Sequence, residues 1–257
     1  MPAARMLFRS QSLRGFTLIE ALLVIAVIGL LVTLATPLIY ASRESGRRTR
    51  AMADLRGHAA VFSLYMSDNR DLFPYVTDPR GDFSVVRCRS AGLAFETPYF
   101  WACYVWNIAL ADDYYESSIY SPSFRSPWES RPNWILASSY WYPCVFIADP
   151  SFWKQETRQD NRSQLVATRG AQVLFPSHKV ILFVGGQISS LEERMPTLLV
   201  PTSFVDGSAS LVRGNELTPQ YNPWPDGRDL RLTIHAISDE PFLHTIDGVR
   251  GRDVTRR

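Results

Sequence analysis

The chain has 257 residues, a formal net charge of +2 and 46% apolar residues. That balance carries no global electrostatic footprint for nucleic acid, and the apolar share is ordinary for a globular chain. Three cysteines, Cys88, Cys103 and Cys144, show no CxxC spacing, which argues against a zinc site. Outside the cytoplasm they would allow one disulfide with one thiol left over, and the spacing does not say which pair closes.

The first fifteen residues carry Arg5, Arg9 and Arg14 and no acid, and residues 16–40 form an apolar run whose single charge is Glu20. As a helix that run extends roughly 37 Å, enough to cross a bilayer core of about 30 Å. A cleavable secretory signal has the same basic start, but its apolar region is normally about 7–15 residues and ends in a small-x-small site. The best match, Thr33-Leu34-Ala35, lies deep inside the run and close to Pro37, so a retained membrane helix fits better. Glu20 is costly there. Burying a carboxylate in the apolar layer costs about 3 kcal/mol on insertion scales, against about 0.3–1 kcal/mol gained from the helix dipole, so a partner is expected. Pro37 removes a backbone donor and is expected to kink or loosen the helix, with Thr33 and Thr36 placed to bond carbonyls of the preceding turn. Gly29 would permit close helix approach.

Gly15-Phe16-Thr17-Leu18-Ile19-Glu20, with the basic leader before it and the apolar run after it, closely resembles the type III signal of type IV pilins and type II secretion pseudopilins. The resemblance implies cleavage between Gly15 and Phe16 by a prepilin peptidase, and N-methylation of the new Phe16 amine. Glu20 then becomes the fifth residue of the processed chain. It implies that Glu20 meets the Phe16 amine of a neighbouring subunit, two charges costly alone that become tolerable as a pair. An intrachain contact one turn away is also within geometric reach. The implied fold is pilin-like α+β: a long N-terminal helix packed on an antiparallel, β-rich globular head. The implied role is structural rather than enzymatic. Its partners would be the peptidase, other pilin or pseudopilin subunits, an inner-membrane assembly platform and lipid, with no nucleic acid. Three basic residues precede the run and four follow it (Arg43, Arg47, Arg48, Arg50), so the positive-inside rule does not orient it. The cytoplasmic N-terminus and extracytoplasmic head come from the resemblance. The expected organisation is a leader over 1–15, a membrane or filament-core helix over 16–40, an amphipathic continuation over 41–69 and a head over 70–257.

In the continuation, Met52, Leu55, Ala59, Phe62 and Met66 recur at spacings of three and four, a stripe one helix face wide, with Arg56 and Ser63 opposite and Asp54 at the border. Gly57 weakens the helix but would let a sheet pack closely. The helix is expected to stop near Asp68-Asn69, ahead of Pro74. The stretch ADLRGHAAVFSLYMSDNRDLFP further resembles the helix-to-head passage of planctomycete-type pseudopilins. The His-(nine residues)-Asp-Gly pattern of that group is not present, since Pro196 stands ten before Asp206.

Between Asp71 and Trp153, aromatic and apolar runs alternate with Pro, Ser, Gly and Asp clusters, which reads as strands joined by irregular loops; YFWACYVWNIALADDYY is either strand or short helix. Residues 121–132 read as loop, and 151–164 as polar and exposed. KVILFVGG reads as a buried strand, and TSFVDGSASLV as a hairpin turning on Asp206-Gly207. The basic C-terminal end reads as a frayed tail.

Chemistry-bearing motifs are sparse. His58, His178, His235 and His244 share no ligand spacing and are expected to be exposed or singly hydrogen-bonded. Asp226 and Asp229 flank Gly227 in a loop, with Asp239 and Glu240 nearby, and some major pseudopilins hold calcium in a C-terminal loop. Solvated turn carboxylates are the expectation here, with calcium as the alternative and no other cofactor. Trp128 and Trp224 would bind sugars or partners if exposed, and buried tryptophan is the commoner case. The competing function is a membrane-anchored extracytoplasmic binding module or enzyme that borrows a pilin-type anchor.

Overall fold

The computed structural model describes residues 17–75, 84–89, 91–116, 118–129, 138–159, 162–185, 199–221 and 242–255. The chain divides into two compact units, residues 1–46 and 47–257, with the boundary inside the first helix.

In the first unit, α1 (Leu18–Asp68, 51 residues) begins as an apolar rod. Leu18, Ile19, Leu22, Leu23, Ile25 and the aliphatics that follow as far as Tyr40 stand exposed. A helix apolar all round with nothing over it belongs in lipid or in an assembly. Among the described residues it is the one helix long and apolar enough to cross a membrane. The β-branched and Leu-rich run keeps a continuous helix because, apart from the donor that Pro37 lacks, a helix pairs its backbone groups within the segment, as an apolar surrounding demands.

In the second unit the later half of α1 turns amphipathic. Ala51, Leu55, His58, Ala59 and Phe62 are buried, while Arg56 and Ser63 face out. The buried stripe therefore includes His58, with Met52 and Met66 at its half-buried margins. Gly57 faces open space, so no close-packed sheet explains it.

Among the described residues, two antiparallel sheets complete the head. β1 (Ser84–Cys88) pairs with β2 (Leu93–Thr97) in a hairpin. β3 (Tyr140–Trp141), β4 (Val180–Val184), β5 (Leu199–Phe204) and β6 (Ala209–Arg213) form a four-stranded sheet in that order. All five β4 residues are buried, so this strand reads as an unbroken apolar run rather than an alternation. The β5–β6 connection carries one residue more than a two-residue turn. Gly207 N–H donates to the Phe204 carbonyl (2.9 Å), Gly207 sits at φ +81°, and Phe204 N–H donates to the Ser208 carbonyl (2.9 Å). That is a three-residue loop with glycine in the left-handed position, stiffened by Ser208 N–H donating to Asp206 Oδ1 (3.0 Å).

The aromatic stretch departs from the strand reading. Tyr99–Cys103 is a 3-10 turn, and α2 spans Trp106–Tyr114, the short-helix alternative for this stretch. Of NWILASSYWYPCVFI, residues 133–137 fall outside the described set, two residues form β3, and Cys144–Ile147 is another 3-10 turn. Short turns win because aromatic rings here pack on several sides, which a two-faced sheet cannot supply. Phe62 meets Trp106 and Tyr142 edge-on at centroid distances of 5.2 and 5.1 Å, and Trp106 Nε1 donates to the Tyr140 carbonyl (2.7 Å). The 151–164 segment is not simply exposed either. Pro150–Trp153 is a 3-10 turn that buries Phe152 and Trp153, and Gln164 is buried among polar partners.

The C-terminal end is built in rather than frayed as far as residue 255. Asp253 and Val254 are buried, Val254 bridges Leu217, and Asp253 N–H donates to the His178 carbonyl (3.0 Å).

Candidate functional site

The candidate site is the N-terminal end of α1. Gly15 and Phe16, the predicted processing pair, lie outside the described residues. The described chain begins with Thr17, and here Thr-x-x-Glu folds into a capping box. Thr17 N–H and its hydroxyl donate to Glu20 Oε2 at 2.8 and 2.7 Å, while Glu20 N–H reaches back to Thr17 Oγ1 at 3.3 Å. Backbone donors left over at a helix start are satisfied this way, and the acidic side chain lies at the positive end of the dipole. Glu20 thus has a partner within its own chain. Sequence reasoning looked to the Phe16 amine for that partner and missed Thr17, although Thr17-Leu18-Ile19-Glu20 is itself the sequence signature of this cap. Among the described residues these bonds engage Oε2, and Oε1 stays available to a cation.

Further along, Thr33 Oγ1 donates to the Gly29 carbonyl and Thr36 Oγ1 to the Val32 carbonyl, both at 2.7 Å. Each is an i−4 back-bond that hides a hydroxyl inside an apolar rod. Pro37 lies within the continuous helix and cannot donate to the Thr33 carbonyl. Gly29 has open space around it, so among the described residues its missing side chain serves no contact.

The head holds buried ionisable groups that spacing did not reveal. His58 is buried rather than exposed, with Nδ1 2.7 Å from Tyr115 Oη and Nε2 2.7 Å from the Ser123 carbonyl. Desolvation lowers its pKa to about 4. His244 is buried against Trp153, ring planes 17° apart, and burial lowers its pKa to about 3. His178 is half-buried with Nδ1 3.0 Å from Ser177 Oγ, and His235 lies outside the described residues.

Lys179 and Asp253 form a fully buried ion pair, Nζ to Oδ1 3.1 Å. The ammonium also donates to Thr245 Oγ1 (2.9 Å) and the Gly248 carbonyl (2.8 Å), while Asp253 accepts from Val180 N–H (2.7 Å) and the Thr245 hydroxyl. Burial pushes Lys179 down and Asp253 up, each against the pull of its partner. These groups tie the C-terminal segment to β4. Their inward, fully bonded geometry suits a clamp.

The calcium candidates Asp226, Asp229, Asp239 and Glu240 lie outside the described residues, as does Trp224. Trp128 is half-buried against the core. Among the described residues no group of three His, Cys, Asp or Glu is placed to hold a metal.

No family model and no solved structure matches the chain. Among curated proteins, the type II secretion system core protein G of Klebsiella michiganensis is 33% identical over 61 residues, 24% of this chain and 43% of the relative. That of Pseudomonas aeruginosa is 33% identical over 79 residues, 31% of this chain and 52% of the relative. That of Klebsiella pneumoniae is 32% identical over 81 residues, 32% of this chain and 56% of the relative. The chain spans about half the length of these relatives. With a long apolar helix at the N-terminal end, an α+β head and relatives of this kind, the chain is pseudopilin-like.

Proposed function

We propose that the protein is a non-enzymatic structural subunit of a type II secretion pseudopilus or type IV pilus-like filament. The observation that carries this reading is the division of labour along α1. One continuous helix is apolar and uncovered over its first half, is headed by a capped carboxylate, and runs on into the amphipathic stripe of a globular head. Lipid supplies little drive for apolar helices to associate with each other, so close packing and polar pairing must do so. The similarity to type II secretion core proteins points the same way.

In this role a prepilin peptidase cuts between Gly15 and Phe16, and the Phe16 amine is N-methylated. The 16–40 helix holds the subunit in the inner membrane with the N-terminus cytoplasmic and the head outside. Glu20 then receives the Phe16 ammonium of a neighbouring subunit at Oε1 while Thr17 keeps Oε2. The carboxylate thereby caps its own helix and recognises the next one. Pro37 loosens the rod where subunits pack. Partners are other pilin or pseudopilin subunits, the inner-membrane assembly platform and lipid.

Intact-mass measurement of the protein from hosts with and without the peptidase tests the first step. Loss of residues 1–15 plus one methyl group is expected only with the peptidase, and an unprocessed mass in both hosts refutes it. Glu20→Ala should be cleaved normally yet drop out of filaments. Wild-type incorporation of this variant would overturn the charge pairing.

A further inference from the structure

We propose that Cys103 and Cys144 are joined by a disulfide in the mature protein and that Cys88 stays reduced, a pairing that rests on the extracytoplasmic placement of the head proposed above. Cys103 closes the 3-10 turn Tyr99–Cys103, and Cys144 opens the 3-10 turn Cys144–Ile147. Both residues are fully buried in the main core, and their Sγ atoms lie 3.0 Å apart. The backbone already brings the two turns together, since Tyr142 N–H donates to the Cys103 carbonyl (3.1 Å). Cys88 belongs to a separate small cluster with Val86, Val105, Ile108, Ala111 and Ile119, and its sulfur is directed to Asp112 Oδ1 (3.5 Å). Geometry thus selects one of the three pairings that three cysteines allow.

Two thiols held so close in an apolar core gain little from each other. A thiol is a weak donor, and the pair fills space that a covalent bond would fill better. Burial and the neighbouring Cys144 raise the Cys103 thiol well above its ordinary range, and both cysteines are closed off from an approaching oxidoreductase once the core has formed. The bond must therefore form before the core closes, while the head folds in an oxidising compartment. A thiolate of one cysteine attacks the disulfide of a thiol–disulfide oxidoreductase and gives a mixed disulfide. The thiolate of the second cysteine then displaces the oxidoreductase sulfur. One S–S bond breaks in the donor and one forms here. Two electrons pass to the donor, which leaves as a dithiol with the two protons. Once the core packs, the bond is sealed from reductant.

The test uses the full-length protein from a host with an oxidising periplasm, acid-quenched, denatured and alkylated without reductant, then mapped by mass spectrometry. One alkylated thiol per chain is expected, at Cys88, together with a Cys103–Cys144 cross-linked peptide that disappears on reduction. Cys88→Ala should leave no alkylated thiol, whereas Cys103→Ala should leave two. Three alkylated thiols in the wild type, or a cross-link involving Cys88, would overturn the pairing. Protease treatment of spheroplasts separates the two claims. An accessible head with three thiols defeats the disulfide alone, and a shielded head defeats the extracytoplasmic placement along with it.

Discussion

At the scale of single residues, the head is held by groups that dislike acid. His58 and His244 are neutral in the fold, with pKa values lowered to about 4 and about 3 from an ordinary 6.5. Between those values and 6.5 the unfolded chain binds protons that the folded one refuses, so stability falls as pH drops through this window. Between pH 7 and pH 5 each histidine should remove about 2 kcal/mol. Urea unfolding at the two pH values checks this, and His58→Gln should flatten the difference by about half. The Lys179–Asp253 pair makes a sharper demand. Lys179→Met strands a buried carboxylate and should cost about 3–5 kcal/mol. Adding Asp253→Asn should recover part of that loss, because a neutral amide needs no counter-charge and still accepts from Val180 N–H. A double-mutant cycle by urea unfolding decides it. Thr17 and Glu20 set the lesson in the other direction, since a carboxylate that looks orphaned in composition is already bonded by its own helix start.

At the scale of elements, local rules carried well where one face or one turn decides the outcome. The three-and-four spacing of Leu55, Ala59 and Phe62 places the head-facing stripe of α1, and Asp206-Gly207 places the β5–β6 hairpin. The two glycines of these elements should answer the same substitution with opposite signs. Gly57 lies in an exposed helix face with nothing near it, so Gly57→Ala should stabilise the head by about 1 kcal/mol. Gly207 stands at φ +81°, so Gly207→Ala should destabilise it by about 1–2 kcal/mol. Thermal melts of the two variants beside the wild type test both signs. In the aromatic stretch local rules left strand and short helix open; α2 takes the helix, while around Tyr140 and Trp153, buried from several directions, the backbone breaks into turns instead of strands. Aromatic enrichment suits strands and buried turns alike, and only the neighbours tell them apart.

At the scale of the whole molecule, the boundary within α1 separates two kinds of stability. The described part of the first unit is an apolar helix with its large side chains exposed, and the second carries its own core. A chain of residues 47–257 should therefore fold in water without detergent, with dispersed near-ultraviolet circular dichroism and the same acid sensitivity as the full protein. Aggregation or a loss of tertiary signal would show that the head depends on the apolar half.

The membrane-length run, the amphipathic stripe that follows it, the buried β4 and the Asp-Gly hairpin were all determined by sequence alone. Each is a pattern of near neighbours, and a helix period, an apolar run or a turn dipeptide acts over a few residues. Which histidines are buried, how the C-terminal segment is anchored and which cysteines meet were decided only by the tertiary structure. Lys179 and Asp253 lie 74 residues apart, and Cys103 and Cys144 lie 41 apart. No local preference encodes such meetings, because they arise only when the core that encloses both partners has closed.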